Sequence, residues 1–192
     1  MVLKTREKLI EVARQLFAHK GVANTTMSDI AEASEKGRRT IYTYFKNKKE
    51  IYNAVVESES DKLVNSLREI ASGPGPVDER LRRFLMARLE HGRAIGSVYR
   101  SLVSWLKLDA RRVERIHRLV SEKEDALLRD LLAEGVASGD FDREAADLFL
   151  CFARPCLGGF DLSTIDTAAA PDSPRSHTAL VTFVMSALVK KS

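Results

Sequence analysis

Cysteine is scarce in this sequence, which has only Cys151 and Cys156 among its 192 residues. Two thiols so close together cannot form the disulfide framework of a small secreted protein, so we expect both to be core cysteines of a cytoplasmic protein. The chain also lacks any run near the roughly 20 apolar residues that cross a bilayer, which predicts no membrane contact. Charges interrupt the N-terminal segment MVLKTREKLI, which therefore does not resemble a secretory signal peptide.

Strand patterns and enzyme motifs are absent as well. No segment alternates apolar and polar residues as a half-buried strand does. The sequence has no glycine-rich phosphate loop, no Gly-x-Ser-x-Gly motif and no His-Glu-x-x-His motif, and its four histidines are scattered. These absences predict a protein that is not an enzyme and that holds no cofactor and no metal ion.

The charge that the sequence does have is unevenly distributed. The net charge is +4, but residues 1–50 hold 11 Lys/Arg against 6 Asp/Glu, whereas residues 51–192 hold 20 against 21. A basic N-terminal segment on a nearly neutral body is typical of a protein whose first part meets a polyanion while the rest has another task.

Helical periodicity covers most of the chain and predicts an all-α protein of about nine helices. Apolar residues at helical spacing between Leu9 and Phe17 predict the first helix, which Gly21 ends. Thr26 and Asp29 have the spacing of a capping box for a short second helix. A third helix is predicted to start near Arg38, after the turn of Glu35, Lys36 and Gly37.

The fourth predicted helix is long, at about residues 47–72, with Asn47 and Glu50 as a capping pair. Gly73-Pro74-Gly75-Pro76 ends it. Five more helices follow; the sixth covers about Ser97–Leu108, and Pro155 with Gly158-Gly159 bends or interrupts the eighth. Their predicted starts are Asp78, Ser97, Asp109, Asp142 and Ser173-Pro174.

The second and third predicted helices have the layout of a helix-turn-helix, whose second helix enters the major groove of DNA. Arg38, Arg39 and Lys48 lie in first helical turns, where the helix dipole opposes cations by about 0.3–1 kcal/mol each. A phosphate at such a terminus would make these cations attractive, and nearby hydroxyls suit phosphate oxygens. We therefore predict DNA contacts from eight residues: Thr25, Thr26, Ser28, Arg38, Arg39, Thr40, Tyr42 and Lys48.

Two of these residues also have a purely structural interpretation. Thr26 suits an N-cap whether or not it touches DNA. Tyr42 could pack in the core, but Ile41 and Phe45 together already fill the inner face of the third helix, which favours an outward Tyr42. Tyr44 is expected to face the scaffold and is left out of the contacts.

The segments TTMSDIA (residues 25–31) and TIYTYFKNKKEI (residues 40–51) closely resemble the N-terminal DNA-binding domain of TetR-type transcriptional regulators. The resemblance covers about residues 5–55. It implies a homodimeric repressor whose first three helices bind operator DNA and whose other helices form a ligand-binding and dimerisation domain. Position by position, it implies that Lys48 holds a phosphate and that the groove or its phosphates face Arg38, Arg39, Thr40 and Tyr42.

The turn departs from the family pattern, which usually has Gly, a hydrophobic residue and Ser or Thr between the two helices. Here Glu35-Lys36-Gly37 moves the glycine by two positions, so the pattern alone does not fix where the third helix begins. The adjacent Arg38 and Arg39 favour a half-site that contains guanine, because Arg suits the O6 and N7 edge of that base.

The remainder of the chain is predicted to bind an effector and to dimerise, giving domains of residues 1–50 and 51–192 that the fourth helix connects. Arg88 and Glu124 interrupt apolar stripes; we favour stripe-edge positions that reach solvent over burial as polar anchors. The second alternative gives an effector pocket of Phe84, Arg88, Tyr99, Trp105, His117, Glu124 and Phe152.

The ninth predicted helix is apolar on most of its sides, more than the core of one small domain needs. Pairing of the eighth and ninth helices with those of a second copy would bury this surface in a homodimer. The favoured function is therefore a ligand-responsive repressor that an unknown small molecule releases from a pseudo-palindromic operator. The alternatives are a helical interaction module that binds an acidic protein through its basic N-terminal face, and an all-α enzyme with a concealed site.

Overall fold

The computed structural model describes the backbone of residues 2–103, 110–162 and 174–190, and side chains over residues 4–91, 121–153 and 176–190. These residues form helices and no strand, which confirms the all-α prediction. The eight helices are α1 (Val2–Lys20), α2 (Met27–Ala33), α3 (Arg38–Tyr44), α4 (Lys48–Ala71), α5 (Val77–Val103), α6 (Ala110–Ser138), α7 (Arg143–Leu162) and α8 (Pro174–Leu188). No helix within the described ranges is both long enough and apolar enough to cross a bilayer.

The helix count differs from the predicted nine because the fifth and sixth predicted helices share one element. Helix α5 continues through Ser97 to Val103, and the rest of the predicted sixth helix lies outside the described residues. Gly92 and Gly96 lie within α5, and each costs about 1 kcal/mol relative to Ala, which a helix of 27 residues tolerates. Helix α7 likewise runs on through Pro155 and Gly158-Gly159 without the interruption that we considered.

The chain divides into two compact units. The N-terminal unit comprises Met1–Lys62 with Ser97–Ile116, and the C-terminal unit comprises Leu63–Gly96 with His117–Ser192. Residues 48–62 of α4 belong to the first unit and residues 63–71 to the second.

The N-terminal unit has a core in which each of its first four helices buries an apolar face. Helix α2 contacts both α1 and α3. The rings of Phe17 and Tyr52 lie 6.1 Å apart at an angle of 52°, which is a favourable tilted arrangement. Helix α1 ends where Gly21 adopts a φ of +79°. The buried apolar side chains of this core include Leu9, Ala13, Phe17, Ile30, Ile41, Phe45, Ile51, Tyr52 and Val55.

The C-terminal unit has a second core, built from α5, α6, α7 and α8 together with the end of α4. Its buried side chains include Leu67, Leu81, Phe84, Leu85, Leu89, Leu131, Leu132, Phe141, Val181 and Met185. Helix α7 contacts α8. The predicted cap of the eighth helix is present, because the Asp142 carboxylate accepts from the N–H of Ala145 at 2.9 Å.

Arg80 organises the loop that follows α4. Its guanidinium donates to the carbonyl oxygens of Ala71 at 2.6 Å and Gly75 at 3.2 Å, and it pairs with Glu134 of α6. The carbonyls at the end of a helix have no partner within that helix, so this buried Arg satisfies one of them. The last turn of α4 is thereby held to the helices of the C-terminal unit.

Gly135 is required where α6 meets the loop before α7. A Cβ atom at this position would overlap the ring of Phe141, whose side chain is fully buried. The chain turns at Gly139, with a φ of +88°, and the N–H of Phe141 then donates to the carbonyl of Gly135 at 2.9 Å. Main-chain bonds from Asp142 to Leu188 and from Lys190 to Asp140 join this loop to the end of α8.

Candidate nucleic-acid interface

Helix α2 begins with the predicted capping box, which the structure confirms. The Thr26 hydroxyl accepts from the N–H of Asp29 at 3.1 Å, and the Asp29 carboxylate accepts from the N–H of Thr26 at 2.8 Å. The hydrogen bond from Thr26 lowers the pKa of Asp29. Thr26 remains exposed, so it combines the cap with an accessible position.

Helix α3 buries one face and exposes a basic one. Ile41 and Phe45 fill the inner face, while Arg38 and Arg39 are exposed and Tyr42 is 47% exposed. This is the division that the sequence predicted for Tyr42. The first turn of α3 contains two cations and no acidic residue. The surface therefore offers free guanidinium groups at a helix N-terminus, where an anion is also attracted by backbone N–H groups.

The turn between α2 and α3 explains the displaced glycine. Glu35 has a φ of +58°, the left-handed conformation that glycine adopts most easily, whereas Gly37 has a φ of −65° and is the N-cap of α3. Helix α3 therefore starts at Arg38, near the predicted position. Lys8 of α1 lies 3.2 Å from the Glu35 carboxylate and pairs with it at the surface.

Thr25 is placed differently from the prediction. Its side chain is fully buried, and its hydroxyl donates to the carbonyl of Gly21 at 2.8 Å. A phosphate cannot reach this hydroxyl in the observed conformation, so the predicted contact is wrong for Thr25. The residue instead holds the loop between α1 and α2, a role that a hydroxyl at a helix start signals equally well.

Lys48 is also placed differently. Its ammonium group donates to the carbonyl oxygens of Val22 at 2.7 Å, Ala23 at 3.2 Å and Thr25 at 2.8 Å. Burial lowers the pKa of Lys48, an effect that the negative charge of Asp29 partly opposes. The predicted phosphate contact does not agree with this geometry, because the ammonium already has as many carbonyl acceptors as protons.

The remaining predicted contacts and two further basic residues lie around the same helices. Ser28 and Thr40 are half-buried. Lys46 is exposed one residue after the C-cap of α3, and the guanidinium of Arg6 lies 5.4 Å from the centre of the Phe45 ring. The sequence analysis did not single out Lys46, although it lies four residues after Tyr42 and helical spacing indicates it.

An ion-pair cluster joins α1 to α4 within the N-terminal unit. Arg14 pairs with Glu11 and lies 3.8 Å from Glu59, while Lys62 lies 2.8 Å from Glu59 and 3.5 Å from Glu11. The hydrogen bond from Arg14 is the largest cause that lowers the pKa of Glu11 to about 2, and the same pairing raises the pKa of Arg14. The cluster fixes the middle of α4 against the helix that supports α2 and α3.

The predicted effector pocket is only partly described. Trp105 lies outside the described residues, as do the side chains of Tyr99 and His117. Phe84 is buried in the core of the C-terminal unit. Arg88 and Glu124 are buried too, and the Arg88 Nε donates to the Glu124 carboxylate at 2.8 Å. The favoured solvent-exposed interpretation of this pair is therefore wrong, because each side chain supplies the counter-charge that lets the other be buried.

Phe152 lies at the surface instead, in an apolar groove of about 340 Å³ in the C-terminal unit. The side chains of Leu148, Phe152 and Phe183 are more than half exposed, which is unusual for large apolar residues that are neighbours. Cys151 is exposed on α7, against the predicted core position, and the Cys156 side chain is outside those described. The groove residues from α5, α7 and α8 include Leu85, Leu89, Leu148, Phe149, Phe152, Leu180, Phe183 and Val184.

Metal binding has no support in the described part of the chain, where no three His, Cys, Asp or Glu side chains come together as ligands. The basic face of α3 and the apolar groove are thus the two surfaces whose composition calls for a partner.

Comparison with known proteins identifies the N-terminal segment. Residues 9–55 match the family described as bacterial regulatory proteins, tetR family. The chain is 38% identical over 89 residues to an Escherichia coli K12 protein named "Probable acrEF/envCD operon repressor"; this covers 46% of the chain and 34% of that relative. The chain thus matches only about a third of that relative's length.

Two other similarities extend over most of the chain. The "Fatty acid metabolism regulator protein" of Bacillus subtilis is 25% identical over 187 residues, covering 95% of this chain and 92% of that protein. The crystal structure of a TetR/AcrR-family transcriptional regulator from Thermobifida fusca is 26% identical, with a TM-score of 0.64 and 94% of each chain covered. Together with the capped α2, the turn and the exposed basic face of α3, these matches show that the chain belongs to the TetR family of bacterial regulatory proteins.

Proposed function

We propose that this protein is a DNA-binding transcriptional regulator of the cytoplasm, and specifically a repressor that binds a pseudo-palindromic operator as a homodimer. The observation that carries the proposal is the exposed face of α3, where Arg38, Arg39 and Tyr42 stand out from a helix that Ile41 and Phe45 anchor. Residues 1–50 form the DNA-binding domain and residues 51–192 the effector-binding and dimerisation domain in this proposal.

Selection of bound duplexes from a random pool tests DNA binding. The wild-type protein should enrich a two-fold symmetric site, and its affinity should fall steeply as salt is added. An interaction module for acidic proteins would bind duplexes and heparin alike, with no enriched sequence, and that result would refute the proposal.

Arg38 and Arg39 sharpen the test, because each can contact either a base or a phosphate. An arginine that reads guanine should, on substitution by Ala, lose about 1–3 kcal/mol on the selected site and relax specificity at one base pair. A phosphate contact should instead weaken binding to all duplexes equally and reduce the salt slope by about 0.9. Thr26, Ser28, Thr40 and Tyr42 complete the proposed contact surface.

The apolar groove supports the homodimer. Burial of Phe152 and Phe183 against a second copy removes large apolar side chains from water, and an interface of α7 and α8 with their symmetry mates does this with one surface used twice. Phe183→Asp should convert the dimer to monomers in analytical ultracentrifugation and weaken operator binding. Lys123→Asp introduces the same carboxylate at an exposed site outside the groove and should leave the dimer intact.

We propose that a small-molecule effector weakens DNA binding by stabilising a conformation that does not fit the operator, with α4 as the connecting element. A coupling free energy of about 1–3 kcal/mol would give about 5- to 150-fold derepression. The full-length similarity to a fatty acid metabolism regulator makes fatty acids the first compounds to test, followed by wider metabolite and drug panels. Release of the selected duplex, measured by fluorescence anisotropy, is the readout, and Arg88→Met tests whether the buried pair contributes to the effector site.

A further inference from the structure

The ammonium of Lys48 sits at a point where three backbone carbonyls converge. Val22, Ala23 and Thr25 all belong to the loop between α1 and α2, and their oxygens lie 2.7, 3.2 and 2.8 Å from Nζ. Lys48 itself is the first residue of α4. We call these three hydrogen bonds the Lys48 latch. They join parts of the sequence more than 20 residues apart and supply donors to loop carbonyls that no helix satisfies.

The loop that the latch holds is directly connected to α2. The Thr25 hydroxyl donates to the carbonyl of Gly21, and the next residue, Thr26, is the N-cap of α2. The N–H groups of Asp29 and Ile30 donate to Thr26 at 3.1 and 3.2 Å. A shift of the loop therefore shifts the first turn of α2, and α2 contacts α3.

We propose that Lys48 is a positioning residue: it fixes the start of α2 to the first turn of α4, and its ammonium is not a ligand of a DNA phosphate. The proposal rests on the proposed DNA-binding function for its consequence, which is that a movement of α4 passes through the latch to the helix-turn-helix. In a dimer, the latch then sets which separation of two half-sites the protein accepts.

Lysine and arginine separate this role from simple charge. A phosphate contact needs a cation, and Arg supplies one that binds phosphate at least as well. The latch needs three protons on a single nitrogen that point to three convergent carbonyls, an arrangement that the planar guanidinium cannot reproduce. Lys48→Arg should therefore behave like Lys48→Met if the latch determines function, and like the wild type if charge does.

The experiment measures binding of the wild-type, Lys48→Arg, Lys48→Met and Arg38→Ala proteins to the selected duplex and to versions with one base pair added or removed between the half-sites. Both Lys48 variants should bind the selected duplex at least about tenfold more weakly. They should also lose most of the wild-type preference for the original spacing. Arg38→Ala is the matched control, since it should bind more weakly while keeping the spacing preference.

Wild-type affinity of Lys48→Arg, together with a salt slope that falls by about 0.9 in Lys48→Met, would overturn the proposal and establish a phosphate contact. A variant that merely unfolds in part would lose affinity for all spacings equally, which also counts against the latch.

Hydrogen exchange tests the latch without DNA. The amides of Thr25, Asp29 and Ile30 should exchange faster in both Lys48 variants than in the wild type, whereas amides in α8 should not change. Unchanged exchange at these three amides would refute the latch whatever the DNA result. If the wild type binds no duplex, the proposed function fails while faster exchange still supports the latch.

Discussion

In the N-terminal unit the ion pairs lie at the surface, whereas the C-terminal unit buries one and exposes large apolar side chains. The side chains of Arg14, Glu11 and Lys62 are 35%, 42% and 57% exposed, but those of Arg88 and Glu124 only 7% and 11%. Phe183, in contrast, is 71% exposed. Solvated charges can change partners at little cost, while a buried charge cannot lose its partner without a large penalty. The difference teaches that the first unit tolerates polar changes that the second does not.

The largest expected effect comes from separating the buried pair. Arg88→Met or Glu124→Leu alone should destabilise the protein by about 3–5 kcal/mol, because the remaining charge stays buried. The double variant should recover most of that loss, because both charges are then gone. Urea unfolding followed by circular dichroism measures the three free energies of unfolding. Losses below about 1 kcal/mol in both single variants would mean that the pair is not desolvated in solution.

Gly135→Ala should have the next largest effect, a loss of about 1–3 kcal/mol, because the new methyl group overlaps the Phe141 ring. Gly37 provides a control in the N-terminal unit: its φ is negative and a Cβ would meet nothing within 4 Å. Gly37→Ala should stay within about 0.5 kcal/mol of the wild type. Equal effects of the two substitutions in thermal unfolding would contradict the packing difference.

Acid should weaken the cluster between α1 and α4. The pKa of Glu11 falls from 4.5 to about 2 on folding, so its contribution is complete above pH 4.5 and is lost as the pH falls towards 2. Because the side chain is 42% exposed, solvent screening reduces this contribution to about 1 kcal/mol or less. NMR titration of the Glu11 carboxyl carbon measures the pKa directly, and a value near 4.5 would show that the cluster is not formed. Glu11→Gln should remove the corresponding part of the acid-induced loss.

The smallest effect is expected at the turn. Glu35→Gly should stabilise the protein by about 0.5 kcal/mol, since relief of the left-handed backbone outweighs the extra entropy of glycine in the unfolded chain. Glu35→Gln retains the backbone penalty and removes only the pairing with Lys8, so it separates the two contributions. A destabilised Glu35→Gly together with an equally destabilised Glu35→Gln would show that the ion pair matters more than the backbone.

Local patterns predicted well where a feature depends on neighbouring residues. The capping box of Thr26 and Asp29, the end of α1 at Gly21 and the outward Tyr42 all follow from spacing within one or two helical turns. The continuity of α5 was missed because apolar periodicity fades around Gly92 and Gly96, although the helix continues through both.

Interactions between distant segments could not be predicted in this way. Thr25 and Lys48 carry groups that suit a phosphate and a backbone carbonyl equally well, and only folding brought the Lys48 ammonium to the loop before α2. Arg88 and Glu124 are 36 positions apart, so neither stripe indicated that the other supplied a counter-charge.

The sequence by itself determined the helical class, the basic helix-turn-helix and the surplus of apolar residues near its C-terminal end, because each depends on residue type and short-range spacing. The tertiary structure alone decided which charges are buried, which carbonyls Lys48 satisfies and which apolar side chains remain exposed. Burial and pairing depend on what other segments place beside a side chain, and that arrangement exists only once the helices pack.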